Sequence, residues 1–212
     1  MTRALISLLA VLMIAACASS QPAMITPTAA SVAVQPGDLP STMHRCSISG
    51  DINTYLDSLK AKDPATYTST KNEWTDAQSK GATETYVGFY TDSDANCMNV
   101  ASTVANLSAA AYPLVVNFSI QFKDEASAAD GYTNGQIFGI DRTMLKANGA
   151  PVVEGTKTGL GPNSIVLSTT ILSQAFYIAV WQNKAFMVIL GIINLDPATG
   201  QKVADAENKR IQ

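Results

Sequence analysis

Apolar residues in the first half of the chain recur at helical spacing. One stripe has the i, i+3, i+4, i+7 pattern of an amphipathic helix and consists of Ile52, Tyr55, Leu56 and Leu59. Asp63-Pro64 combines an N-cap with a proline at the first helical position, which predicts a second helix that ends near Gly81. The predicted inner face of this second helix consists of Tyr67, Thr70, Trp74 and Ala77. A third helix is predicted to begin at Ser93 or Asp94.

The second half of the chain changes to a period of two. Apolar and polar residues alternate from Val115 to Lys123, which predicts a strand with one face in solvent. Four other segments are also predicted to be strands, namely Thr85–Tyr90, Ser164–Leu172, Ala175–Gln182 and Ala185–Ile193. Because the connections between the last three are short, these strands are expected to be antiparallel neighbours.

The order of elements indicates an α+β fold rather than a doubly wound parallel one. Asp124 is expected to cap a short helix, and a glycine-rich stretch with one helical turn follows it. Asp196-Pro197 predicts a last helix that ends at about Ile211. The sequence therefore predicts an antiparallel sheet of about five strands with helices packed on it. An N-terminal helical part, a β-meander and a C-terminal helix would form a single domain over residues 44–212.

The start of the chain has the organisation of a secretory signal peptide. One charged residue, Arg3, precedes an uncharged apolar run that ends at Ala16. The run is shorter than the roughly 20 apolar residues that a transmembrane helix needs. Residues 1–16 are therefore predicted to be a signal peptide and not a permanent membrane span.

The end of this run resembles the lipobox of bacterial lipoproteins. Ile14-Ala15-Ala16-Cys17 places an aliphatic residue and two small residues before a cysteine. The resemblance implies cleavage before Cys17, a diacylglyceryl thioether on its thiol, and attachment to the extracytoplasmic face of the cell membrane. The alternative is an ordinary signal peptide with a coincidental cysteine near its cleavage site. Residues 17–43 are predicted to be the lipidated cysteine and a disordered spacer rich in Pro, Ala, Ser and Thr.

The cysteine count favours one disulfide. The chain has three cysteines, so Cys46 and Cys97 remain if Cys17 carries lipid. An exported protein occupies an oxidising compartment, where an even number of remaining cysteines favours pairing. The alternative is two separate thiols that are buried as small apolar groups.

Composition and motifs give no indication of catalysis, a metal site or a cofactor. The net charge is −3 with no basic cluster, so a nucleic-acid partner is not expected. His44 is the only histidine, and it lies beside the predicted disulfide, which is a poor setting for a catalytic triad or a zinc site. Asp92-Ser93-Asp94-Ala95-Asn96 resembles the opening of a calcium loop. However, Cys97 and Thr103 replace the glycine and glutamate that such a loop requires.

Aromatic residues on one predicted strand give the only ligand-site hypothesis. Tyr177 and Trp181 lie on the face opposite to Phe176, so one of the two faces is expected to be exposed or to cover a cleft. Tyr177 and Trp181 are the candidates for binding a small apolar ligand. The alternative is that they pack under a layer of helices.

A broader resemblance involves the order of motifs in the second half of the chain. These motifs are a strand leading into Lys123–Ala129, Gly159-Leu160-Gly161 before a strand, Trp181–Lys184 before an apolar strand, and a final helix. The arrangement resembles small exported lipoproteins and extracellular sensor domains of Gram-positive-type bacteria, most of which lack an assigned activity. It implies a binding or sensing role and transfers no site residues.

The functional prediction is a non-enzymatic, membrane-anchored domain that binds a small apolar ligand or an envelope protein. The alternatives are a cell-envelope hydrolase that uses carboxylates and a purely structural surface protein.

Overall fold

The structure is a computed structural model that describes residues 26–135, 137–139, 142–147 and 151–211. The predicted signal peptide and Cys17 lie outside the described residues. The helices are α1 (Ala29–Val32), α2 (Ile52–Lys62), α3 (Pro64–Ser79), α4 (Asp94–Ser102), α5 (Glu125–Asn134), α6 (Arg142–Ala147) and α7 (Pro197–Arg210). Short 3₁₀ helices cover Pro36–Asp38, Val104–Ala109 and Gly155–Thr158.

The strands form one sheet in which every described pairing is antiparallel. They are β1 (His44–Arg45), β2 (Gly50–Asp51), β3 (Ala82–Thr91), β4 (Leu114–Phe122), β5 (Val152–Glu154), β6 (Ser164–Ile171), β7 (Gln174–Asn183) and β8 (Phe186–Ile193). The order across the sheet is β1-β3-β4-β8-β7-β6-β5, and β2 also pairs with β3.

The predicted α+β class is confirmed, but the predicted number of strands is wrong. The described residues form a sheet of eight strands rather than about five. The three additional strands, β1, β2 and β5, contain two, two and three residues. Segments this short do not display an alternation of apolar and polar residues, so the sequence pattern does not reveal them.

Helices cover both sides of the sheet. We call the side covered by α2, α3, α4 and α5 the α3 face, and the side covered by α1 and α7 the α7 face. On β4, Phe118 and Ile120 belong to the α3 face, whereas Val115 and Asn117 belong to the α7 face. The prediction that one side of this strand is in solvent is wrong, because Asn117 and Ser119 are both 0% exposed. The final helix and the N-terminal segment exclude water from this side.

Residues 26–43, for which the sequence predicts a disordered spacer, instead pack on the α7 face. Val32 and Val34 are buried there in one cluster with residues of α7 and the sheet. Arg210 of α7 donates hydrogen bonds to the carbonyls of Val32 and Ala33, at 2.9 and 3.0 Å. The hydroxyl of Tyr90 donates to the carbonyl of Val34. The spacer prediction does not hold for this segment, because its few apolar side chains and its carbonyls have specific partners.

A disulfide joins Cys46 to Cys97, as the cysteine count predicts. Their Cα atoms are 5.2 Å apart and the sequence separation is 51 residues. The bond connects the segment between β1 and β2 to α4. It therefore fixes the edge of the sheet next to β3 against the helices of the α3 face.

Candidate functional site

A cavity of about 520 Å³ lies between α3 and the sheet. Its floor is formed by apolar residues of the α3 face, namely Phe89, Val116, Phe118, Phe176, Ile178, Ile189, Gly191 and Ile193. The walls are completed by Tyr55 of α2, by Val104, Leu107 and Ser108 of a 3₁₀ helix, and by Phe138. This volume lies within the range of roughly 300–1,000 Å³ that is typical of small-molecule sites.

A glycine on β8 helps to keep the space open. A Cβ atom placed on Gly191 would meet nothing closer than the carbonyl oxygen of Val116, at 4.0 Å. Every other residue of β8 is apolar and larger, so this position interrupts a continuous row of side chains. The absence of a side chain at Gly191 therefore leaves a space in the floor of the cavity.

Four aromatic rings follow one another along the cavity. The rings of Tyr55 and Phe89 are 5.5 Å apart, those of Tyr55 and Phe118 are 6.3 Å apart, and those of Phe118 and Phe138 stack at 4.7 Å. Phe138 has a φ of 51°, a left-handed backbone that is unfavourable for a bulky residue. Stacking on Phe118 offsets part of this cost.

The polar part of the lining belongs mainly to α3, which supplies Thr66, Ser69, Thr70 and Glu73. The hydroxyl of Thr66 donates to the carboxylate of Asp63 at 2.6 Å, and that of Ser69 donates to the carbonyl of Thr66 at 3.1 Å. Within the described part of the chain, the hydroxyl of Thr70 and the carboxyl of Glu73 make no hydrogen bond or ion pair. These two groups are therefore available to a ligand.

Glu73 is the only charged residue in the described lining of this cavity. It is half-buried, and desolvation raises the pKa of its carboxyl. Burial also raises the pKa of the Tyr55 hydroxyl, with further contributions from the negative charges of Asp63 and Glu73. The Glu73 carboxyl therefore acts electrostatically on the aromatic end of the cavity.

Thr70 and Glu73 are not among the site residues predicted from the sequence, although Thr70 is predicted to lie on the inner face of its helix. A signal for the cavity is present in the sequence. Thr66, Ser69, Thr70 and Glu73 form a stripe at i, i+3, i+4 and i+7, where a helix that packs tightly on a sheet would carry large apolar residues. A row of polar residues, three of them small, at this position indicates that the helix does not fill the space beneath it.

Tyr177 and Trp181 do not line the cavity. Both lie on the α7 face, where Tyr177 is 3% exposed and Trp181 is 0% exposed. The Tyr177 hydroxyl donates to Gln201 of α7 at 3.2 Å. Phe176 and Ile178, on the opposite side of the same strand, line the cavity instead. The alternation along the strand is as predicted, but the structure places the opening on the other face.

Two smaller features lie near the cavity or the disulfide. A cavity of about 280 Å³ is lined by Asn72, Glu73, Asp76 and Gly139, and Asp76 is paired with Lys80 at 2.7 Å. Another, of about 500 Å³, borders the disulfide and has a mixed polar lining that includes Arg45, Lys62 and Asp94.

The described residues contain no cluster of three or more His, Cys, Asp or Glu side chains arranged to hold a metal ion. The segment Asp92–Asn96, which resembles only the opening of a calcium loop, forms the start of α4, since Ser93 caps the helix and Asn96 donates to Asp92 at 2.7 Å. The helices in the described part of the chain are too short or too polar to cross a membrane.

Comparisons of the chain with models of protein families, with curated proteins and with solved structures found no match.

Proposed function

We propose that the chain is an extracytoplasmic lipoprotein, anchored to the cell membrane through Cys17, whose domain binds a small apolar ligand. The observation that carries the binding role is the cavity of about 520 Å³ between α3 and the sheet. Its floor is apolar, and most of its few polar groups lie on α3. This combination is typical of small-molecule sites, where apolar contact supplies affinity and a few polar groups fix orientation.

The energetics of packing support this role. Protein interiors leave few voids larger than a water molecule, because every lost contact reduces the free energy of unfolding. Val116, Phe118, Phe176 and Ile178 are only half-buried, although they lie under a helix. A ligand in the cavity would bury their remaining apolar surface, at about 25 cal/mol for each Å².

Two observations support the extracytoplasmic location. The sequence Ile14-Ala15-Ala16-Cys17 resembles a lipobox, and the Cys46–Cys97 disulfide is a bond that persists in oxidising compartments. One acyl chain gives only marginal membrane binding, whereas the diacylglyceryl group of a lipoprotein gives a stable anchor.

Native mass spectrometry of the purified protein tests the binding role, with Gly191→Leu as the matched control. Leu at this position extends from the cavity floor into open space, so the variant is expected to fold and to lack room for the ligand. Wild-type protein should carry an additional mass, or take up added n-decanol, and the variant should do neither. Equal uptake by both proteins, or uptake by neither, would overturn the proposal.

The hydrolase hypothesis receives less support from the geometry. Glycoside hydrolysis requires two carboxyl groups that face each other across a cleft. The described lining of the large cavity supplies only Glu73, and Asp76 of the smaller cavity is paired with Lys80. A purely structural role would give no ligand uptake in the experiment above.

A further inference from the structure

We infer that the ligand is a hydrophobic amine, whose ammonium group binds Glu73 while its apolar body lies on the aromatic and aliphatic floor. This inference rests on the proposed binding function and names the ligand class. The site combines an apolar cavity with a carboxyl that has no partner among the described residues, and the chemical complement of this combination is a cation attached to a hydrocarbon.

The first step concerns the charges around the opening. The described lining contains no Lys or Arg that would neutralise Glu73. The two lysines of this helix and its C-cap interact with groups other than Glu73. The Lys71 ammonium lies over the ring of Tyr67, and Lys80 pairs with Asp76. The carboxyl of Glu73 therefore has no cation from its own helix, and a ligand can supply one.

The second step concerns the groups beside Glu73. Thr70 is only 6% exposed, lines the cavity, and has no hydrogen-bond partner for its hydroxyl within the described residues. Thr70 and Glu73 are three residues apart on one helix, so they lie side by side. An ammonium group has three donors, and it can therefore bond to the Thr70 oxygen and the Glu73 carboxylate together.

The third step concerns the rings. Aromatic faces carry negative potential and attract cations, most strongly where water is excluded. Tyr55 and Phe118 line the cavity with Glu73, and the Tyr55 hydroxyl is influenced by the Glu73 charge. A fatty acid would bring a second carboxylate next to Glu73 and would be disfavoured by repulsion. The site therefore selects an amine over an acid of the same length.

The experiment compares three probes of equal chain length, namely n-decylamine, n-decanol and n-decanoic acid, by isothermal titration calorimetry. The proteins are wild type, Glu73→Gln and Asp76→Asn. Glu73→Gln removes the charge with little change of shape. Asp76→Asn removes a charge from the same helix that does not line the large cavity, so it is the matched control.

Wild-type protein should bind the amine most tightly and the acid most weakly. Glu73→Gln should weaken amine binding by about tenfold or more, since a charge-assisted hydrogen bond is lost, while decanol binding stays unchanged. Asp76→Asn should behave as wild type. Decanol binding without preference for the amine, or an equal loss in Glu73→Gln and Asp76→Asn, would refute the amine assignment and leave the binding role intact. Failure of all three probes to bind would refute both.

Discussion

The side-chain amide of Asn117 donates hydrogen bonds to both carboxyl oxygens of Glu207, each at 3.0 Å. The amide oxygen of Asn117 accepts a hydrogen bond from the backbone NH of Val34 at 3.1 Å. One buried asparagine thus connects β4, α7 and the N-terminal segment. Burial raises the pKa of Glu207 to about 8, although the hydrogen bonds from Asn117 and the charge of Arg210 act in the opposite direction.

This raised pKa predicts that stability falls as pH rises. The folded protein holds a proton on Glu207 from its ordinary value of 4.5 up to about 8, whereas the unfolded chain has released it. The contribution of this group is therefore fully present below pH 4.5 and is lost as pH rises to about 8. The slope reaches at most about 1.4 kcal/mol for each pH unit.

Urea unfolding of wild type and Glu207→Gln between pH 4 and about pH 9 measures this effect. Gln resembles the protonated acid, so the variant should be close to wild type at low pH and more stable than wild type above about pH 8. Two parallel pH profiles would show that Glu207 titrates normally in the folded state.

Two glycines predict opposite results for the same substitution. Gly200 of α7 lies against Tyr177, and a Cβ atom there would be 2.5 Å from Cγ of the ring. Gly200→Ala is therefore expected to lower the free energy of unfolding by about 1–3 kcal/mol, despite the better helix propensity of alanine. Gly191→Ala meets open space on a strand and should raise it by roughly 0.5–1 kcal/mol. Thermal and urea unfolding of both variants measure the two changes in the free energy of unfolding. Equal changes would contradict the finding that Gly191 borders open space whereas Gly200 is closely packed.

Removal of the disulfide should destabilise the domain considerably. The bond closes a loop with a sequence separation of 51 residues. In the chain-entropy model, a loop of this size contributes about 4 kcal/mol. Cys46→Ala/Cys97→Ala should lose roughly this amount in urea unfolding, and dithiothreitol should then have no further effect. A reductant that leaves wild type as stable as before would indicate that the two thiols do not pair.

The N-terminal segment should detach when Arg210 is replaced. Its guanidinium group donates two hydrogen bonds to Asp38, at 3.0 and 2.8 Å, in addition to those to the carbonyls of Val32 and Ala33. Arg210→Ala should abolish the protection of residues 29–39 against hydrogen exchange and lower stability by about 2 kcal/mol. Arg210→Lys keeps the charge without the planar fork and should give an intermediate result. Unchanged protection in Arg210→Ala would mean that Val32 and Val34 hold the segment alone.

The proposed anchor is tested on the intact protein. Mass spectrometry of the N-terminal peptide should find Cys17 as the first residue, with an added diacylglyceryl group. Cys17→Ser should prevent this modification and move the protein from the membrane fraction to the soluble fraction. A mature chain that begins elsewhere, or that carries no added acyl mass, would refute the anchor.

Local patterns of the sequence were sufficient for the major elements. The N-caps at Asp63, Asp124 and Asp196 are confirmed, because a cap depends on residues three positions away at most. The five longest strands are also predicted, because alternation and runs of apolar residues beside turns are local properties of the sequence. The N-terminal segment was missed because its burial depends on Arg210 and Asn117, which are distant in sequence.

The candidate site shows the same limit. The alternation of β7 predicts that Phe176 and Tyr177 face opposite sides, but not which side carries a closely packed helix. That depends on Gly200 lying against Tyr177 and on the polar residues of α3 that line the cavity together with Phe176. Glu73 could not be assigned from sequence, because a helical glutamate is usually solvated and its lack of a partner among the described residues is a tertiary property.

The attachment of the N-terminal segment to the α7 face has a mechanical consequence for the proposed anchored protein. Only the residues between Cys17 and Ala29 then separate the lipid from the folded domain, and a fully extended chain of that length reaches about 40 Å. The connecting segment would therefore keep the folded domain close to the bilayer surface. A pulling force on this segment would act first on the contacts of Arg210 and Asn117, while the cavity lies on the opposite side of the sheet.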